Sequence, residues 1–229
     1  KPGGQYEFKR IPYSNPEESG AIYTTGLTLD AEGNGQGFRT AEFRGIYNPI
    51  TRRTYENTAK TKEIIDRQLM AAYPGSESSH IELSDLQDYS KAGRLAYEFR
   101  VPQFAVVQGG RWIMPATLFK ERLSQRYTQL SSREYDLVLS FPYTRTNMFN
   151  IELPETMPSP QLPEDRTVEN EFGGFIRKST VKDGKISIKE ELVFKPVRVP
   201  KDRYQDFREF CRLVDLYQDE TISIPQGKS

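Results

Sequence analysis

The amino-acid sequence predicts a mostly β (α+β) protein in which antiparallel, sandwich-like sheets pack against two helices. Three observations predict this class. Most patterned segments alternate apolar and polar residues, as half-buried strands do. Turn residues join these segments at hairpin spacing. Helical periodicity is confined to about residues 51–73 and 201–217. A parallel sheet is not expected, because its strands would be near-continuous Val, Ile and Leu runs.

Composition restricts the function classes. The 229 residues suffice for one large domain or two small ones, and thirteen Tyr and thirteen Phe can bury a large apolar area. Lys plus Arg equals Asp plus Glu, at 32 each, so no overall field attracts nucleic acid or an anionic membrane. No apolar run reaches the ~18 residues that a membrane span needs. We therefore expect neither nucleic-acid binding nor membrane insertion.

The first half begins with a predicted hairpin. The segment "AIYTTGLTLD" (21–30) alternates as a strand, "AEGNGQG" supplies a turn, and "FRTAEFRGIY" (38–47) forms the second strand. The helix predicted over 51–73 ends at the breaker Pro74-Gly75. Three further strands are predicted in "HIELSDL", "RLAYEFRV" and "GGRWIMPATLF".

The second half repeats the order of hairpin, helix and strand. Strands are predicted in "YDLVLSF" and "TNMFNIEL", and Asp183-Gly184 lies between two alternating runs, which is a strong hairpin signal. The helix over 201–217 and the strand "ETISI" follow. This order predicts a β-rich domain with one helix at 1–131 and a C-terminal β domain at 132–229. The alternative is one continuous β-sandwich unit.

The only Cys and the only His are the first candidates for catalysis. Cys211 shares the apolar face of the second predicted helix with Phe207, Phe210 and Val214. A nucleophilic Cys is typical of a helix N-terminus or a cationic neighbourhood, whereas a Cys within an apolar face is a buried hydrophobe. His80 has no Cys-x-x-Cys or His-x-x-x-His companion. We expect a core Cys211 and no catalytic residue; a Cys–His dyad is the alternative.

The glycine-rich turn is the second candidate. Asp30, Glu32 and Asn34 resemble the start of a calcium loop, but the twelfth position is Ala41 and not an acidic residue. The same turn lacks the Lys-Ser/Thr of a phosphate loop and leads into a strand. A hairpin turn explains these residues, so no metal and no cofactor is predicted.

An aromatic group is the third candidate. Trp112 with Tyr97, Phe99 and Phe104 could form a ligand surface for sugar rings. The favoured interpretation is that these side chains belong to a sheet core and its edge.

The C-terminal third carries a family resemblance. Its marks are "IELPE" (151–155), "ENEFG" (169–173), a hairpin, the pattern V-P-x-x-x-Y-x-x-F-R-x-F from Val199 to Phe210, and a short terminal strand. This order resembles the region that follows the catalytic core in bacterial transglutaminase-like envelope proteins. The stretch from "GLTLDAEGNGQG" to "YPG" is similar to the connection between that core and the C-terminal region.

The resemblance implies a non-catalytic accessory region that packs on, or presents substrate to, a transglutaminase-like core ending before Lys1. It also implies a periplasmic or cell-envelope location. The core's catalytic Cys, His and Asp have no counterpart in this sequence. Two alternatives stay open: a module that binds an envelope polysaccharide or protein, and a stand-alone hydrolase. The hydrolase lacks an evident carboxylate pair, because the adjacent Glu190 and Glu191 point to opposite faces of a strand.

Overall fold

The computed structural model describes residues 15–89 and 91–226. Four helices and thirteen strands are described in these ranges, and three short 3₁₀ turns occur at Pro16–Glu18, Thr58–Lys60 and Lys201–Arg203. The helices are α1 (Tyr47–Thr54), α2 (Thr61–Ala72), α3 (Leu123–Tyr127) and α4 (Tyr204–Gln218). The strands are β1 (Gly20–Leu29), β2 (Gly35–Arg44), β3 (Glu77–Leu83), β4 (Gly93–Val101), β5 (Val106–Gln108), β6 (Arg111–Pro115), β7 (Leu137–Val138), β8 (Tyr143–Glu152), β9 (Arg166–Asn170), β10 (Gly173–Lys182), β11 (Lys185–Phe194), β12 (Arg198–Val199) and β13 (Thr221–Pro225).

Eight strands form one sheet in the order β3-β4-β2-β1-β8-β11-β10-β9. All neighbours are antiparallel except β1 and β8, which run parallel from Gly20 opposite Thr144 to Thr28 opposite Glu152. The predicted halves 1–131 and 132–229 therefore contribute four strands each to the same sheet. The three-stranded sheet β13-β6-β5 also combines strands from both halves. Both sheets therefore join strands from the two predicted domains.

Both predicted hairpins are present. β1 and β2 pair from Gly20 opposite Arg44 to Leu29 opposite Gly35. β10 and β11 join at Asp183 (φ 50°) and Gly184 (φ 71°), the two positive φ angles that a two-residue type I′ turn requires. The mostly β class with antiparallel pairing and few helices is confirmed.

The helix predicted over 51–73 is two helices. α1 already begins at Tyr47, because Pro49 is tolerated in a first turn, where its missing N–H is not needed. After Thr54 the chain leaves the helix, and Tyr55 is buried with 6% of its surface exposed. Asn57 and the following Thr are weak helix formers, and α2 starts only at Thr61. The helix predicted over 201–217 corresponds to a 3₁₀ turn followed by α4.

The strand predicted in "YDLVLSF" is confined to the two residues of β7. The segment that follows it runs to Pro142 outside any strand. Its leucines and Phe141 pack against the second apolar cluster and not into a sheet ladder. The alternation of apolar and polar residues therefore predicted a longer strand than the structure contains.

The core lies on one face of the large sheet, here called the inner face. A first apolar cluster joins β1, β2, β4, the C-terminal end of β8 and the start of β11 to α2 and the three-stranded sheet. A second cluster joins the ends of β8, β10 and β11 to α3 and α4. The helices and small sheets thus form one layer on the inner face, and the opposite face is called the outer face.

Candidate functional site

The outer face is the surface most open to a partner, since the described helices and small sheets pack on the inner face. Alternation along β2 illustrates the division. Arg39, Ala41 and Phe43 are buried on the inner side, whereas Phe38 and Thr40 are exposed on the outer side. Every second side chain of each of the eight strands therefore points to the outer face.

A row of uncharged side chains crosses part of the outer face. Thr24 of β1 pairs with Thr40 of β2 and with Met148 of β8, and Thr40 pairs with Ala96 of β4. A depression of about 540 Å³ lies over this part of the sheet, and its lining includes Ile22 together with the charged Glu42, Glu82 and Arg94. Uncharged side chains thus occupy one row across four strands.

Large apolar side chains are exposed on the same face. Phe38 is 49% exposed, Met148 38% and Ile176 42%. The ring of Phe38 lies over Gly26, where an added Cβ would come within 2.5 Å of a ring carbon. Charged pairs lie among them: Glu42 is 3.1 Å from Arg94, and Lys189, which pairs with Met148, is 3.7 Å from Glu191. The outer face therefore combines exposed apolar and hydroxyl-bearing side chains with charged pairs.

Below the sheet, a belt of charged side chains crosses the inner face between the two apolar clusters. Glu121, 6% exposed, accepts two hydrogen bonds from one guanidinium nitrogen of Arg145, at 2.8 and 2.9 Å. The Arg145 guanidinium carbon lies 5.7 Å from the ring centroid of Tyr23 and 5.5 Å from that of Tyr47. Burial opposes the charge of Arg145, but Glu121 together with Tyr23, Tyr47 and Tyr143 holds the pKa of Arg145 well above its usual value.

The belt continues to the end of α4. The side-chain amide of Gln218 donates to Glu190 Oε2 at 2.9 Å, while its oxygen accepts from the backbone N–H of Glu121 at 2.8 Å. Arg177 lies 4.0 Å from the other oxygen of Glu190 and donates to the carboxylate of Glu220 and to the Tyr217 carbonyl. These bonds fasten the C-terminal end of α4 to β10 and β11.

Glu190 is the belt residue with the properties of an acid–base catalyst. Burial raises its pKa from 4.5 to about 7, against the opposing effects of Gln218 and Arg177. A carboxyl group with such a pKa is a catalytic candidate only where a substrate can reach it. Glu190 is 2% exposed and Arg177 0%, so a substrate in solution reaches neither group. The neighbouring Glu191 faces outward, as the alternation predicts.

The predicted Cys–His alternative is not assembled. Cys211 is 0% exposed in the second apolar cluster, where burial raises its pKa and suppresses the nucleophilic thiolate. His80 is exposed at a bulge of the edge strand β3, with Nδ1 2.9 Å from Glu98. Because α4 packs at the β9 end of the sheet and β3 forms the other end, the two residues do not meet. Cys211 is a core residue, as predicted.

The aromatic group predicted as a ligand surface has no common exposed face. Tyr97, Phe99 and Phe104 are 6%, 1% and 2% exposed and belong to the first apolar cluster. Trp112 is half-buried on β6 of the small sheet and packs against the same cluster. Tyr97 and Phe99 are both buried because side chains two residues apart in a strand point to the same face, which here is the inner face. The favoured interpretation, a sheet core, describes these side chains.

The loop after β1 is a capped turn. Asp30 Oδ1 accepts from the backbone N–H groups of Glu32 at 3.0 Å and Asn34 at 2.7 Å, and Oδ2 accepts from the Asn34 side chain at 2.9 Å. Slight burial opposes ionisation, but these bonds lower the pKa of Asp30. Across the described ranges, no group of three or more His, Cys, Asp or Glu side chains is placed to hold a metal ion.

The chain matches a known family of sequences. The sequence model of a family described as a domain of unknown function with a solved structure, DUF3858, matches residues 110–224, just over half of the chain. The matched region starts at the turn before β6 and ends in β13, so it crosses the predicted boundary between residues 131 and 132. No curated protein matches the chain. Among the described helices, none is both long and apolar enough to span a membrane.

Proposed function

We propose that this chain, which belongs to the DUF3858 family, is a non-catalytic accessory region that packs its outer sheet face against a transglutaminase-like core in the same protein. The partner is suggested by the sequence motifs in the C-terminal third, and the periplasmic or cell-envelope location is proposed on the same resemblance. An envelope protein or glycan is the alternative partner.

The exposed outer face carries the proposal. Antiparallel sheets often leave one face in water, but such a face normally carries polar and charged side chains. Here Phe38, Met148 and Ile176 are exposed on the same face as a row of Thr and Ala side chains, with Lys189 and Glu191 of β11 between Met148 and Ile176. Large apolar side chains exposed on one face of a sheet are typical of an interaction surface.

The non-catalytic role is supported by the placement of the reactive groups. The thiol of Cys211 and the carboxyl group of Glu190 are both buried, so a substrate in solution cannot reach them. A region of this kind contributes to activity by positioning a neighbouring core, and not by supplying the nucleophile or base.

Hydroxyl-radical footprinting tests the proposed packing. The isolated chain is compared with the same chain joined to a transglutaminase-like core, and oxidation is measured at Phe38 and Met148. We expect both side chains to be oxidised several-fold more slowly when the core is attached. Tyr135, 80% exposed and outside the large sheet, is the internal reference and should not change.

The matched variants are Met148→Glu, which places a charge in the uncharged row, and Glu191→Gln, which removes a charge from the same face. Met148→Glu should restore the oxidation of Phe38 in the joined protein, whereas Glu191→Gln should not. Equal oxidation of Phe38 and Met148 with and without the core would contradict the proposal.

A further inference from the structure

A second surface feature lies on the inner side, away from the outer face. A cleft of about 420 Å³ opens between α3, the segment 133–141 and the adjoining ends of β8 and β11. The carboxylate of Asp215 on α4 accepts hydrogen bonds from the backbone N–H groups of Leu123 and Ser124, both at 2.8 Å. These bonds satisfy the first turn of α3 and fix its position at the cleft.

The walls of the cleft are aromatic and apolar. Tyr127, Phe194 and Tyr143 form a stack in which both centroid separations are 5.0 Å. Tyr47 meets the ring of Phe141 edge-on at 5.7 Å and that of Tyr143 at 5.8 Å. Because these rings hold one another, the cleft is formed before any ligand arrives.

One buried donor next to the cleft has no partner among the described residues. Tyr143 is 2% exposed, and its hydroxyl makes no hydrogen bond with any described group. Burial raises the pKa of Tyr143 well above its usual value, so the group remains an O–H donor. The hydroxyl has essentially no accessible surface, so the ring of Tyr143, and not its hydroxyl, contributes to the wall of the cleft.

Two guanidinium groups add positive charge. Arg126 and Arg133 line the cleft, and neither forms a salt bridge with the carboxylates of the described chain. The Nε of Arg133 is buried without a hydrogen-bond partner. Nearby Arg145, in contrast, is neutralised by Glu121 at 2.8 Å. The cleft thus combines apolar walls with donors and an uncompensated positive charge.

We propose that this cleft binds a small organic carboxylate carried on an apolar or aromatic body. The carboxylate would pair with Arg126 and Arg133, while the body packs against the rings. Apolar walls disfavour an acidic sugar, whose hydroxyl groups would need further polar partners. A carboxylate on an apolar or aromatic body occurs both in free small molecules and at the C-terminal residue of a peptide.

Binding is tested by calorimetry on the full chain with N-acetyl-L-phenylalanine as the probe. We expect a Kd of about 1 mM or tighter and at least about tenfold weaker binding of the uncharged amide of the probe. A tripeptide ending in Phe distinguishes the two sources: tighter binding than the probe indicates a peptide terminus, and weaker binding a free small molecule. Glucuronate represents the acidic sugar.

Variants separate ligand binding from folding. Arg126→Ala and Arg133→Ala should each weaken binding of the probe about tenfold. Arg53 is an exposed arginine outside the cleft, so Arg53→Ala should leave the affinity unchanged. Tyr143→Phe should leave the affinity for the probe unchanged, because the hydroxyl has no accessible surface in the cleft. Absence of binding, equal binding of the amide, preferential binding of glucuronate or unchanged affinity in both Arg126→Ala and Arg133→Ala would each overturn the proposal.

Discussion

At the scale of single residues, the most informative positions are polar side chains that strand alternation directs inward. Glu190 lies between the buried Ile188 and Leu192, and Arg177 follows the buried Phe175 with the same spacing. The sequence therefore indicates these residues by a charged side chain at a strand position where the alternation predicts an apolar one. Alternation predicted that Glu190 and Glu191 face opposite sides, but it could not predict that Gln218 and Glu220, some thirty or more residues away, complete the belt.

The belt makes stability depend on pH through Glu190. In the folded chain its pKa is about 7, against 4.5 when exposed, so the folded state binds more protons than the unfolded state between these values. The free energy of unfolding should therefore fall as the pH rises from about 4.5 to about 7. Glu190→Gln cannot ionise and should lose this part of the pH dependence, with a Tm at pH 8 equal to or above that of the original chain.

Calorimetric melts at pH 5 and pH 8 check this expectation. Glu191→Gln, one residue away on the outer face, is the matched control and should keep the original pH dependence. If Glu190→Gln loses as much Tm between pH 5 and pH 8 as the original chain does, Glu190 is not the group responsible.

At the scale of elements, turn chemistry and breakers were the most reliable signals. Asp183-Gly184 fixed the β10–β11 hairpin because only residues that tolerate positive φ fit a type I′ turn. The boundary between α1 and α2 was missed because the apolar period continues through it, while burial of Tyr55 bends the chain away. Periodicity reports which face is apolar, and not where the backbone leaves the helix.

Gly37 shows a contact within an element that alternation does not reveal. A Cβ at this position would lie 1.9 Å from the backbone carbonyl oxygen of Gly26, and a backbone atom in a sheet ladder cannot move aside. We expect Gly37→Ala to lower the free energy of unfolding by about 1–3 kcal/mol. Gly174→Ala is the control, because its nearest neighbour would be at 3.5 Å, and it should change stability by about 0.5 kcal/mol or less.

Urea denaturation of the two variants measures the difference. A Gly37→Ala variant as stable as Gly174→Ala would show that β1 and β2 can separate locally to accept the methyl group.

At the scale of the whole molecule, the halves are joined by the parallel pair β1 and β8 and by the ladder between β6 and β13. Glu121, which neutralises Arg145, comes from the first half, and Leu123 contributes to the second apolar cluster. Removing residues 1–131 would leave a buried arginine unpaired and the inner face of β8 partly exposed.

We therefore expect residues 132–229 alone to give no cooperative thermal transition. The fragment 110–229 retains β6, α3 and Glu121, as the family match does, and should be the more structured of the two in far-UV circular dichroism. A cooperative melt of 132–229 equal to that of 110–229 would contradict the dependence between the halves.

The sequence by itself determined the mostly β class, the hairpins, the helix of Cys211 and the burial of that residue, because each follows from local period and turn chemistry. Only the tertiary structure decided that β1 joins β8 in parallel, that the charged belt forms between the two apolar clusters and that the aromatic cleft opens beside α3. These features join residues distant in the chain, such as Tyr47 with Tyr143 and Arg145 with Glu121. Sequence periodicity specifies the face on which a side chain lies, but the partner on that face is specified only when the strands assemble.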